Sequence, residues 1–150
     1  MHKPVCLITG VGPEKGTGSE IVRRFAEGGY QVAMLARSAD NLLALEKKID
    51  GATSFPCDVG DLDAFVNTIA DVRRRLGSPT VVVHNAARSV RGGILELDPH
   101  DLERNFRVNT IALLYLARET ITAMLTAGKG TILVTGNTSA KRGITNWGFF

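Results

Sequence analysis

The residues best suited to chemistry in this chain are a run of glycines near its start, two asparagines and an arginine. The run Thr9-Gly10-Val11-Gly12-Pro13-Glu14-Lys15-Gly16-Thr17-Gly18 holds four glycines in ten residues. Glycine lets the chain turn sharply and brings bare backbone N–H groups to a helix N-terminus, where they can approach a pyrophosphate that a Cβ would hold off. Gly10, Gly12, Gly16, Thr17 and Gly18 are the candidates for that turn. The same pattern also serves strand-to-helix turns that bind nothing, so the run decides little alone. Asn109 falls on an otherwise apolar helical stripe, Leu102, Phe106, Asn109, Leu113, Leu116 and Met124. An amide there needs partners or costs a few kcal/mol. It is either a satisfied core amide or a working group at the edge of a sheet. Asn85-Ala86-Ala87 follows a strand at that same edge, where small residues leave room for a flat ligand. Its bland reading is an ordinary strand-end turn.

The elements that must position these residues can be read from the apolar pattern. Residues 5–8 form an all-apolar strand, and Ile21, Val22, Phe25 and Ala26 give the following helix its inner side. Gly28-Gly29 stops that helix, and residues 31–36 form a second strand. Ser38 caps a helix carrying Leu42, Leu43, Leu45 and Ile49, and Gly51 ends it. A third strand spans residues 53–57, and Asp58-Val59-Gly60-Asp61 turns into a helix bearing Leu62, Phe65, Val66, Ile69, Val72 and Leu76. Residues 80–84 form a strand with no polar face. Asp98-Pro99 opens one long helix, aspartate at the cap and proline at the first helical position, and residues 131–135 form a fifth strand. Strands apolar on both faces and joined by helices predict an α/β fold: a Rossmann-like, doubly wound parallel sheet of about five strands between two helical layers.

Composition narrows the function. The chain has 150 residues, 44% hydrophobic and 22% charged, with a net charge of +3, as expected of one ordinary soluble domain. Arg73-Arg74-Arg75 sits at a helix end, where cations complement the dipole, and no aromatics interleave with it to stack bases. Neither a nucleic-acid nor a membrane partner is expected. Cys6 and Cys57 suit reduced core thiols, and their spacing supports no metal site or disulfide framework. Without the apolar region of a signal peptide, the default location is the cytoplasm.

With these stretches in view, the chain resembles the short-chain dehydrogenase/reductase family. Thr9-Gly10 through Gly16-Thr17-Gly18 is similar to its TGxxxGxG motif, and His84-Asn85-Ala86-Ala87 to its NNAG motif. Asp58-Val59 sits where the family contacts adenine, and Val108-Asn109 matches the asparagine of its catalytic tetrad. The resemblance implies a nicotinamide cofactor and hydride transfer to or from a small carbonyl or alcohol. It implies that Asn85, Ala86 and Ala87 border the cofactor, that Asn109 organises a water in a proton relay, and that a serine after the fifth strand bonds the substrate oxygen. There are departures. Five residues separate Gly10 from Gly16, so Glu14-Lys15 reads as a two-residue insertion. No YxxxK motif occurs, and the tyrosines are Tyr30 and Tyr115. If Phe150 takes the tyrosine position, Asn137 takes the serine; if Ser139 is the serine, the tyrosine falls beyond Phe150.

Cofactor choice has a physical basis. A ribose hydroxyl favours an acidic partner after the second strand, whereas a 2′-phosphate favours a basic one. Here Arg37 follows that strand, and Lys15 lies where NADP-preferring members of the family carry a base. NADP is expected over NAD. The family's greater length implies that residues 1–150 are the amino-terminal part of a longer reductase or a truncated gene product, incomplete at the carboxyl end, whose fifth strand becomes an apolar edge near Trp147, Phe149 and Phe150. Homo-oligomers remain open. Rival readings are a nucleotide-binding protein without hydride chemistry and a methyltransferase, the latter disfavoured because no carboxylate ends the second strand.

Overall fold

A computed structural model describes residues 3–138, 141–143 and 146. Five strands make one parallel sheet in the order β3-β2-β1-β4-β5: β1 (Val5–Thr9), β2 (Gln31–Ala36), β3 (Ala52–Pro56), β4 (Val81–His84) and β5 (Thr131–Val134). The helices are α1 (Thr17–Glu27), α2 (Ala39–Glu46), α3 (Leu62–Leu76), α4 (Pro99–Phe106) and α5 (Ala112–Thr126). Between the last two lies a π segment, Arg107–Ile111. The strand order reverses beside β1, where doubly wound sheets leave a crevice at the strands' carboxyl ends.

Alternation along the central strands divides the core. Leu7, Ala33, Leu35 and Val82 face one layer with Phe65, Ile69, Val72, Ala112 and Leu116. Cys6, Ile8, Val32, Met34 and Val83 face the other with Val22, Leu42 and Leu45. Because side chains alternate across a strand, a parallel sheet covered on both faces needs apolar residues at every position. β1 is accordingly buried throughout. Burial pushes the Cys6 thiol up to about 12 and raises that of Cys57 as well, so both are unreactive thiols, as their positions implied.

The expected caps at Ser38 and Asp98 are in place, and Asp61 adds a third. Ser38 Oγ accepts the Asn41 N–H, Asp61 accepts that of Ala64 and Asp98 that of His100, which satisfies donors otherwise orphaned in each first turn. Arg73 pairs with Glu119 on α5, and Arg75 lies 4.5 Å over the Phe55 ring, so the arginine triplet belongs to the packing of α3. Leu43 is exposed instead of adding to the inner face of α2.

The single long helix is corrected. It is interrupted by the π segment, where the Ala112 N–H reaches back five residues to the Arg107 carbonyl. The wider turn slips the inner face by one residue upstream of Leu116. Ala112 is buried in place of Leu113, Val108 packs on the core in place of Asn109, and Asn105 is buried in place of Phe106. Leu102 and Phe106, expected inside, are 48% and 54% exposed. β5 borders β4 on one side, and its Leu133 and Val134 are exposed. Ser139, Trp147, Phe149 and Phe150 lie outside the described residues.

Phe65 is fully buried between α3 and the sheet, so Phe65→Ala should cost about 3–5 kcal/mol. Urea unfolding followed by circular dichroism checks this; a cost below about 1 kcal/mol would contradict the packing described.

Candidate functional site: a cleft at the carboxyl edge of the sheet

The glycine turn and the end of β4 meet at the floor of the crevice. Gly10 has φ +70°, and a Cβ there would stand 2.5 Å from the Ala86 backbone nitrogen. The Asn85 side chain donates to the Gly10 carbonyl at 2.9 Å and accepts from the Thr135 hydroxyl at 3.0 Å. A Cβ on Gly18 would lie 2.5 Å from the Gly10 carbonyl oxygen, so the start of α1 is seated directly on the turn. The inserted residues lie outside this contact. Glu14 pairs with Lys48 at 2.7 Å, and its carbonyl accepts from Arg23 at 3.0 Å. Pro13 O accepts from Gly16 N–H and the Ser19 hydroxyl, which folds the extra length into a local turn.

Over this floor lies a cleft of about 930 Å³. Its walls include Gly10, Val11 and Gly12 from the turn, then Leu35, Ala36, Arg37, Ser38 and Asn41 from β2 and α2. Cys57 to Asp61 follow from the end of β3, and Asn85, Ala86, Ala87, Arg88 and Ser89 from the end of β4. Arg104, Arg107 and Val108 close the far wall. The structure thus brings Gly10, Gly12, Arg37, Asp58, Val59, Asn85, Ala86 and Ala87 to one cavity. Gly16, Thr17 and Gly18 form the first turn of α1 behind it, and exposed Lys15 lies outside its lining. Asn137 is exposed after β5, also outside the lining.

Asn109 turns away from the core. Its Oδ1 accepts the Arg88 N–H and its Nδ2 donates to the Arg88 carbonyl, both at 2.8 Å. Both polar atoms of the amide thus help fix the backbone that follows Ala87, each keeping one further donor or acceptor position. The slip at the π segment accounts for this direction.

His84 is buried behind the floor. Its Nε2 lies 3.0 Å from the Val108 carbonyl. A carbonyl can only accept, so Nε2 carries the proton and Nδ1 accepts from the Thr9 hydroxyl at 3.1 Å. Thr9 Oγ1 in turn accepts the N–H groups of Asn85 and Ala86, each at 3.2 Å.

The charge inventory favours an anion. Asp58 accepts the Gly60 N–H and Asp61 caps α3, so both wall carboxylates are engaged by backbone donors. Arg88 and Arg104 share Asp101, each at 2.8 Å, and the two guanidinium groups, Arg104 foremost, hold that carboxyl below its ordinary range. Arg37 and Arg107 make no ion pair among the described residues. Sequence reasoning missed Ser38, Asn41, Arg88, Arg104 and Arg107 as wall residues. Arg88 carried a signal, following Asn85-Ala86-Ala87 directly; the others reach the cleft only through the fold. No group of His, Cys, Asp and Glu able to hold a metal occurs among the described residues, and no described helix is long and apolar enough to cross a membrane.

Burial lowers the His84 pKa below the ordinary imidazole value near 6.5, with the Val108 carbonyl opposing. The folded state therefore stays neutral where the unfolded chain takes up a proton, and stability rises with pH between the two values. This contribution is complete above about pH 7.5 and is lost as pH falls through about 6.5 toward the folded value. The melting temperature of the wild type should fall more than that of His84→Gln between pH 7.5 and 5.5; parallel curves would refute the assignment.

Residues 4–150 match the family model for short chain dehydrogenases. A fatty acyl-CoA reductase of Mycobacterium tuberculosis is 35% identical over 133 residues, covering 85% of this chain and 45% of the relative. Versicolorin reductase 1 of Aspergillus parasiticus is 31% identical over 145 residues, covering 93% and 54%. Among solved structures, a metagenomic short-chain oxidoreductase in complex with NADP superposes with a TM-score of 0.89 at 26% identity, covering 97% of this chain and 66% of that one. A variant of actinorhodin polyketide ketoreductase with NADPH gives 0.88 at 27%, covering 98% and 59%. The chain spans about half the length of the curated relatives it matches. The family model spans residues 4–150 and the five-stranded parallel sheet matches these folds: the chain belongs to the short-chain dehydrogenase family.

Proposed function

We propose that the chain forms the cofactor-binding part of an NADP-dependent oxidoreductase that passes hydride between the nicotinamide and a small carbonyl or alcohol substrate. The observation that carries the reading is the charge at the end of β2. Arg37 is exposed there and makes no ion pair among the described residues, beside Ser38 and Asn41 in the cleft wall, and no carboxylate ends the strand. A guanidinium with neighbouring hydroxyl and amide donors suits a ribose 2′-phosphate; a carboxylate would suit the hydroxyl of NAD.

The residues fit such a cofactor. Gly10 and Gly12, with the N-terminus of α1 at Thr17 and Gly18, offer N–H groups to the pyrophosphate, while Gly16, its N–H held by Pro13 O, shapes the turn that presents them. Asp58 and Val59 border the adenine, with Val108 opposite. Asn85, Ala86 and Ala87 lie beside the ribose. The bound cofactor supplies the hydride acceptor or donor. Asn109 orders the Arg88 backbone beside the nicotinamide end and contributes to a proton relay, and Asn137 or Ser139 holds the substrate oxygen. Lys15 adds a second positive charge only if its turn shifts toward the cleft on binding. The reductase names of the relatives support hydride chemistry, and the complexes of the structural neighbours, with NADP, NADPH and NADH among them, support a nicotinamide dinucleotide of either kind.

Phe150 at the tyrosine position would favour a second reading, in which the chain binds the nucleotide and performs no hydride chemistry. Isothermal titration separates the possibilities. NADPH should bind at least about tenfold more tightly than NADH, and Arg37→Ala should weaken NADPH by about tenfold or more while leaving NADH within about twofold, the scale of one charge-assisted hydrogen bond. Equal affinities in the wild type would reject the NADP preference, and no binding by the folded protein would reject the cofactor. Binding without turnover over a panel of carbonyl compounds would establish the second reading.

A further inference from the structure

The position taken by His84 is occupied by asparagine in the NNAG motif it resembles, and an imidazole reaches further than that amide. Here its two nitrogens contact different parts of the cleft. Nδ1 accepts from Thr9, whose hydroxyl also gathers the N–H groups of Asn85 and Ala86 at the floor. Nε2 donates to Val108 O on the far wall. The side chain of Val108 lies against the loop after β3, where a Cβ on Gly60 would come within 3.2 Å of Val108 Cγ2. The next residue, Asn109, holds both polar groups of the Arg88 backbone.

We propose that His84 is a positioning residue of the nucleotide cleft: a rigid strut that sets the distance between the glycine-turn floor and the π segment, and thereby seats Val108 in the wall and Asn109 on Arg88. Three features carry this. The ring is buried and bonded at both ends, so it cannot swing away without losing a bond at one of them. Its two partners lie on elements with no shared turn, Thr9 on β1 and Val108 in the π segment. The segment it holds is also the one whose wider turn directs Asn109 toward Arg88. A merely filled core position would need the volume of the ring but neither nitrogen.

The test compares His84→Phe, which keeps the ring volume and removes both bonds, with His84→Gln, whose amide can donate and accept. The strut predicts that His84→Phe speeds hydrogen exchange of the Arg88 amide at least about tenfold beyond any change in global stability, and weakens ADP binding by about tenfold. His84→Gln should restore most of both. Nitrogen NMR of the wild-type ring should show the proton on Nε2 and a bare Nδ1. A His84→Phe protein with a lowered melting temperature but unchanged Arg88 protection and ADP affinity would reduce His84 to a packing residue. The opposite tautomer in the wild type would overturn the strut whatever the variants do, including a His84→Phe chain that fails to fold. The ADP measurement rests on the nucleotide reading proposed above, whereas the exchange and tautomer measurements do not. Wild type that binds no nucleotide would therefore sink that reading alone.

Discussion

The structure depends on the close contact between the backbone at Gly10 and the backbone at Ala86. No side chain fits between them, because a Cβ at Gly10 would overlap the Ala86 nitrogen and Cα at 2.5 Å. That contact brings β1 and β4 together at their carboxyl ends, as their register requires, with Thr9 beside His84. It also places α1 directly behind the turn, because Gly18 is pressed on the Gly10 carbonyl. The cleft is the space left above this junction. Its floor is backbone, so its shape is set by main-chain geometry and by the few side chains that bridge it, Asn85, Thr9 and His84.

Most of the fold was legible because a doubly covered parallel sheet writes itself as runs such as Val5-Cys6-Leu7-Ile8 and Val81-Val82-Val83. These residues cannot serve as surface, and the helices between them keep one apolar stripe. The helix leading to β5 was not legible in the same way. A stripe drawn at regular helical spacing through Leu102, Phe106 and Asn109 assumes a constant turn, and nothing in Arg107-Val108-Asn109-Thr110-Ile111 announces a wider one. The slip is only visible once Asn105 and Ala112 are found inside and Phe106 outside. The amide of Asn109 does find partners, although it stands off the buried face that the stripe assumes. That those partners are the two backbone groups of Arg88 depends on a contact across 21 positions of chain, which spacing cannot reveal.

The charges repeat this lesson. Arg37 could be assigned from its place after a strand, a local property. Arg88, Arg104 and Arg107 enter the same cleft from a loop, α4 and the π segment, and two of them are partly neutralised by a shared Asp101. A count of basic residues sees four arginines, whereas in the folded cleft only Arg37 and Arg107 make no ion pair among the described residues, and Asp58 and Asp61 share the wall with them. Glu14 and Lys48 show the converse. The extra residues of the glycine turn look like a disturbance to phosphate binding, yet their ion pair draws them onto the outer side of α1 and α2.

The position of β1 in the middle of the sheet has a further consequence, for synthesis. β1, β2 and β3 pair through short crossovers, so they can assemble as soon as Pro56 has emerged, and β4 begins only at Val81. At ordinary translation rates the intervening chain takes roughly one to five seconds to appear. During that interval β1, apolar from Val5 to Ile8, is a bare rim, able to pair with any extended segment that reaches it. The nascent protein is thus most exposed to mispairing at the strand that will end up deepest, and folding chaperones would be needed there sooner than at the solvent-facing β5.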